Sequence, residues 1–240
     1  MNGSESEMEW HPGCPLQWHG HLLQLLPQGA LYWEDQQALL LSDCHLGREY
    51  SLQRSGLALP GGPSFSCLNR IEQLLSRFKP QQLIVLGDLV HARCSLAPEL
   101  VTALSDCRRR WRNIDWWLVA GNHDRGSTET LAALGWQVQQ QRRLENVLLC
   151  HEPPDGEANV DLPTFCGHIH PGVRLPRERV RLPCFAVSKH RLLFPAFGDL
   201  TGTFPLVPEA GERIFVVTDR QVREIPTSLL SPRHGRTFYR

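Results

Sequence analysis

Leu83-Ile-Val-Leu-Gly-Asp-Leu-Val-His91 opens with four aliphatic residues and stops at Gly87-Asp88. An apolar run this short, ended by glycine, reads as a buried strand, and open α/β sheets place their ligands beyond the carboxyl ends of such strands. Three further segments repeat the design. Ala38-Leu-Leu-Leu-Ser-Asp43 leads to Cys44-His45, Trp117-Leu-Val-Ala-Gly121 leads to Asn122-His123-Asp124, and Val147-Leu-Leu-Cys150 leads to His151. A fifth, Phe165-Cys-Gly-His168-Ile-His170, adds two imidazoles. Five strand ends that each release Asp, Asn or His point to one metal centre.

Working outward, the runs Leu22–Leu26 and Ala30–Trp33, broken by Pro27-Gln-Gly29, predict a hairpin feeding the Asp43 strand. Residues 46–64 are crowded with Gly and Pro and are expected to form a loop beside the site. Leu68, Ile71, Leu74, Leu75 and Phe78 recur at helical spacing, with Ser64 or Ser66 as caps and Pro80 as the stop. A second helix is expected over 97–111, its last turn carrying Arg108, Arg109 and Arg110, which suit a solvated helix end as well as a phosphate backbone. A strand over 116–120, a short helix over 128–134 and a polar edge strand over 136–141 follow. From Arg143 the chain is expected to be mostly β, with strands over 147–150, 180–187, 191–194 and 214–217. Arg174, Arg177, Arg179 and Arg181 alternate as on an exposed strand or a nucleic-acid groove. Residues 1–19 read as a flexible leader, 20–225 as one catalytic domain and 226–240 as a flexible tail.

The 240 residues suffice for one full core, and a formal net charge of zero does not by itself call for nucleic acid or membrane. No apolar run reaches the ~18 residues of a membrane-spanning helix, and the first residues are acidic where a signal peptide is basic, so a cytoplasmic protein is expected. Eight cysteines lie scattered without a Cys-x-x-Cys pair, as small core residues would.

Asp43 and His45 are two apart, as are His168 and His170, and in an extended segment each pair would project to one side and grip one ion. Carboxylates, imidazoles and the Asn122 amide, without thiolate, suit Mn2+, Fe or Zn. Asp43, His45, Asp88, Asn122, His151, His168 and His170 are more ligands than one ion needs, and fit two ions bridged by Asp88.

The series Asp43-x-His45, Gly87-Asp88-x-x-His91, Gly121-Asn122-His123-Asp124, His151 and Gly167-His168-x-His170 resembles, in full and in order, the signature of the calcineurin-like metallophosphoesterases. Flanking segments, including Gly29-Ala-Leu-Tyr-Trp33, His91-Ala-Arg93 and His151-Glu-Pro-Pro154, are similar to the ligase-associated DNA damage response endonuclease branch, the PdeM type. The resemblance implies an α/β four-layer sandwich, two mixed β-sheets flanked by α-helices. It implies one metal on Asp43, His45, Asp88 and His170, a second on Asp88, Asn122, His151 and His168, and His123 as the catalytic residue facing the scissile phosphate. Two divalent ions are implied, Mn2+ first, with Fe or Zn as alternatives. His91 stands where many related phosphatases carry Asp, and it is expected behind the ligands or, with Arg48 and Arg54, against the substrate. The implied activity is a dinuclear-metal phosphodiesterase acting on DNA, a single-strand endonuclease in DNA repair. A small nucleotide or other small phosphodiester is the alternative substrate. A DNA ligase and a helicase are implied as functional associates, and no membrane.

Overall fold

The structure is a computed structural model that describes residues 11–59, 61–154, 162–176 and 179–230. Residues 1–10 of the expected leader, 231–240 of the expected tail, Pro60 and Arg177 lie outside the described residues.

Two mixed sheets pack face to face. The first holds β1 (Cys14–Trp18), β2 (His21–Leu25), β3 (Leu31–Trp33), β4 (Ala38–Leu41), β5 (Gln82–Val85), β6 (Asp115–Val119) and β7 (Gln137–Gln139) in that order. Pairing is antiparallel from β1 to β4 and parallel from β4 to β7. The second holds β8 (Gln141–Leu144), β9 (Val147–Cys150), β10 (Thr164–Cys166), β11 (Pro171–Val173), β12 (Leu182–Val187), β13 (Arg191–Leu193), β14 (Phe204–Pro205), β15 (Arg213–Val217) and β16 (Val222–Ile225). Its β9–β10–β13 core is parallel and its other pairs are mostly antiparallel.

Period-2 alternation assigns each strand's two faces to different cores. Ala38, Leu40, Ile84, Leu86 and Val119 face inward and meet Leu149, Phe165, Phe185, Leu192 and Phe215 of the second sheet. Leu39, Leu41, Leu83, Val85, Trp116 and Leu118 point the other way, onto the helices. Cys150, Cys166, Cys184, Ala186, Ile214 and Val216 face the outer side of the second sheet. There Ile169, Leu206 and Leu230 cover them, and among the described residues no α-helix does.

The helices are α1 (Arg48–Arg54), α2 (Pro63–Phe78), α3 (Pro98–Arg110) and α4 (Thr128–Ala133). Helix α2 starts before the first apolar repeat and uses neither Ser64 nor Ser66 as a cap. Its first turn is held from outside, by the buried Glu49 carboxylate, which accepts the Ser64 N–H at 3.0 Å and the Ser64 hydroxyl at 2.8 Å.

Several expectations are corrected. Residues 14–18 form β1, not leader, because Leu16 and Trp18 bury one face while Pro15 and Gln17 stay exposed. The expected loop 46–64 contains α1. The polar run 136–141 is two edge strands, since the chain leaves the first sheet after β7 and enters the second at β8. Among the described residues, Arg174, Arg179 and Arg181 do not lie on one strand, and Arg181 Nη1 donates to the Thr203 carbonyl at 3.0 Å. The arginines ending α3 are engaged locally, Arg109 with Asp106 at 2.9 Å and Arg110 with Glu72 at 2.7 Å. They sit at the edge of the sheet opposite the strand ends that carry the motifs, because α3 leads into the start of β6.

Candidate metal centre

Parallel pairing carries the first two motifs past their strands. Asp43 N–H donates to the Gly87 carbonyl at 3.0 Å, His45 N–H to Asp88 at 2.8 Å and Leu46 N–H to Leu89 at 2.9 Å. The backbone itself is not extended there. Asp43, His45, Asp88, His168 and His170 all have positive φ, between 46° and 67°. Non-glycine residues rarely adopt this region, and such strain collects where the surrounding structure imposes it for function. Convergence therefore comes from left-handed turns, not from strand alternation.

The pair rule holds for Asp43 and His45 but fails for His168 and His170. Ligand atoms of Asp43, His45 and His170 lie within 4.8 Å of one another, and those of Asp88, His151 and His168 form a second such group. His170 thus joins the first group and His168 the second.

Each carboxylate has one oxygen engaged and one presented. Asp43 Oδ2 accepts the His168 N–H at 3.0 Å and lies 2.6 Å from the Ser42 hydroxyl. Asp43 Oδ1 is 3.0 Å from His170 Nε2. Asp88 Oδ1 accepts the His123 N–H at 2.9 Å. Asp88 Oδ2 lies 3.7 Å from His45 Nε2 and 3.4 Å from His151 Nε2, between the two groups. Asn122 Oδ1 and His168 Nδ1 are each 3.1 Å from His151 Nε2. His151 Nδ1–H donates to the Leu86 carbonyl at 2.9 Å, which turns the Nε2 lone pair toward the site.

These residues fit two divalent cations. Both nitrogens of His45 are buried without a hydrogen-bond partner, and Asp43 Oδ1 and His170 Nε2 have no well-aligned partner beyond their own 3.0 Å approach. Such atoms are costly to bury unless something completes them. Ligands about 2.1 Å from an ion sit roughly 3–3.5 Å from one another, close to the spacings seen here.

Two glycines show how tightly the loops pack. A Cβ on Gly87, which has φ 79°, would meet the His151 imidazole. One on Gly167 would meet the Ser42 hydroxyl and Asp43 Oδ2. Glycine before Asp88 and His168 is thus demanded by contact with side chains from other strands.

Burial lowers the His45 imidazole to about 3 against the opposing pull of Asp43 and Asp88, so it is neutral with lone pairs to give. Burial alone would raise Asp88, but the hydrogen bond and charge of His151 outweigh it and bring the carboxyl down to about 2. Conversely, burial would lower His151, and Asp88 and Asp43 lift it to about 9. Binding of a cation at this pair would release the proton that these shifts favour on His151.

His123 Nδ1 lies 2.7 Å from the main-chain carbonyl of His91, to which its N–H donates. The His123 ring stands edge-on to His45, centroids 4.9 Å apart. The His91 ring stacks on it at 5.0 Å and 21°. Burial and the nearby Arg48 lower His91, so its ring is neutral. Arg48 is half-buried beside this end of the site, and Arg54, exposed, places Nη2 3.3 Å from the Ser51 hydroxyl on α1.

The motif reading assigns no role to Asp124, whose buried carboxylate accepts Gly121 N–H at 2.9 Å and Val90 N–H at 3.1 Å. It ties the Asp88 and Asn122 loops together, and burial lifts it to about 6. Its place directly after Asn122-His123 was the only signal.

Residues 37–180 match the calcineurin-like phosphoesterase family. A crystal structure of a Pseudomonas putida nuclease, MPE, superposes with a TM-score of 0.77 at 35% identity, covering 89% of this chain and 100% of that one. YfcE, a phosphoesterase from E. coli, reaches a TM-score of 0.42 at 18% identity over 78% of this chain and 97% of its own. A comparison with curated protein sequences finds no match. By its family match and its likeness to the P. putida nuclease over most of both chains, this chain belongs to the calcineurin-like phosphoesterases and is a metal-dependent phosphoesterase.

Proposed function

We propose that the protein is a dinuclear-metal phosphodiesterase that cuts single-stranded DNA internally, in DNA repair. The observation that carries the reading is the paired donor set about Asp88 Oδ2, open to solvent where His168 is exposed. An open centre admits a diester in the middle of a strand. The reading is supported by the 35% identity to a protein whose structure is described as a nuclease.

In this reading Asp43, His45, Asp88 and His170 hold one ion, and Asp88, Asn122, His151 and His168 hold the other. Oxygen and imidazole donors without thiolate favour Mn2+, with Fe or Zn as alternatives. When bound, such a pair neutralises phosphoryl charge and acidifies water for attack on phosphorus. His123, oriented through Nδ1 by the His91 carbonyl, turns Nε2 to the substrate side, where an imidazole can donate a proton to the leaving oxygen. Residues 20–225 together with β1 form the catalytic domain, working in the cytoplasm alongside a DNA ligase and a helicase.

The test is incubation of Mn2+-loaded protein with circular single-stranded DNA, with Asp88→Asn and His123→Ala as controls. Linearisation by the wild type and not by the variants is the expected result, since an exonuclease finds no end on a circle. A circle that survives while bis(p-nitrophenyl) phosphate is hydrolysed removes the DNA assignment and leaves the metal centre standing.

A further inference from the structure

Beside the second ligand group, a cavity of about 300 Å³ opens between the ends of the two sheets. Asn122 and His151 form its inner rim, so it is continuous with the centre. Its floor is small or short, Ala120, Gly121 and Cys150, which leaves the space unfilled. Arg125 lines it from the turn Asp124–Gly126, which the buried Asp124 anchors. Gln140 and Gln141 line it where the chain crosses from β7 to β8. Arg125 is exposed and has no ion-pair partner among the described residues.

The volume lies at the lower end of small-molecule sites, roughly 300–1,000 Å³. Its chemistry is selective. A guanidinium fork matches phosphate oxygens, and carboxamides offer both a donor and an acceptor to a base edge. Among the described residues Glu152 is the one carboxylate lining it, against Arg125, and this lining suits a neutral nucleoside with a phosphate at the Arg125 side. Among the described residues no Phe, Tyr or Trp lines it and the one ring is the His151 imidazole at the rim, so a base would be held mainly by its edge.

We propose that this cavity is a nucleotide subsite, receiving the nucleoside next to the scissile diester on the Asn122 and His151 side, with Arg125 on the neighbouring phosphate and Gln140 and Gln141 at the base edge. The proposal rests on the nucleic-acid reading of the centre. It gives a polymeric substrate a contact that a small diester does not reach.

The experiment compares wild type, Arg125→Ala, Arg125→Lys and the double variant Gln140→Ala/Gln141→Ala. Each is assayed on single-stranded DNA and on bis(p-nitrophenyl) phosphate, and each binds a fluorescent oligothymidylate in metal-free buffer. The ratio of kcat/KM on DNA to that on the small diester should fall about tenfold in Arg125→Ala, as expected for a lost charge-assisted contact, and recover in part in Arg125→Lys. The slope of log Kd against log salt for the oligonucleotide should drop by about 0.7 in Arg125→Ala, one phosphate contact fewer. A ratio and a salt slope equal to wild type in all variants overturn the subsite while the nuclease reading stands. A wild type that hydrolyses only the small diester overturns both.

Discussion

At the scale of single residues, the position that departs from related phosphatases is His91. The main-chain carbonyl, not the ring, orients His123, while the neutral His91 ring stacks on it. Truncation at 91 keeps the carbonyl and loses the stacking on His123 and the edge contact with His45 at 5.6 Å. His91→Ala should therefore lower kcat by about tenfold, whereas His123→Ala should cost about 10²–10⁴-fold, the usual worth of a general acid. Equal losses in steady-state kinetics would show that the His91 side chain acts on the reaction itself. The residues that the structure gathers into these groups were legible in identity and order because each follows a short apolar run. Their division between two groups was not: His168 and His170 look alike in sequence, yet the folded loop sends them to different partners.

At the scale of elements, the short helix α1 ties the first motif to α2. Glu49 satisfies the buried N–H of Ser64, which has no partner within the helix at the start of α2, and holds the hydroxyl that accepts Gly47 N–H at 2.7 Å. Glu49→Ala strips that external cap and leaves buried donors unpaired, at about 1–2 kcal/mol. For a chain of this size each kcal/mol shifts Tm by about 2–4 °C, so a fall of about 2–8 °C is expected in a thermal melt. An unchanged Tm would deny Glu49 this role. The sequence marked 46–64 as loop because Gly and Pro dominate it, and α1 is too short and polar to show a helical repeat. The Leu68–Phe78 periodicity, by contrast, announced α2, but the start of that helix depends on a carboxylate 15 residues before Ser64, on a different helix.

At the scale of the molecule, the candidate ligands bridge the sandwich. Asp43, Asp88 and Asn122 follow strands of the first sheet, and His151, His168 and His170 follow strands of the second. His168 N–H already donates to Asp43 across the divide. Bound cations should therefore clamp the two sheets and stabilise the fold as a whole. At one hundred times Kd a ligand adds about 2.7 kcal/mol, so Mn2+ should raise Tm by about 5–10 °C over protein in EDTA. A melt indifferent to Mn2+ would mean that these residues do not hold it.

The sequence by itself determined the strand cores, the two principal helices, the family resemblance and the set of residues that meet, since all of these follow from local periodicity and motif order. Only the tertiary structure decided that Asp88 Oδ2 lies between two ligand groups, that His123 is oriented by a carbonyl, and that Arg125, Gln140 and Gln141 line one cavity. Those facts depend on how left-handed turns from separate strands pack together, and no local pattern in a chain encodes a distance between residues that far apart along it.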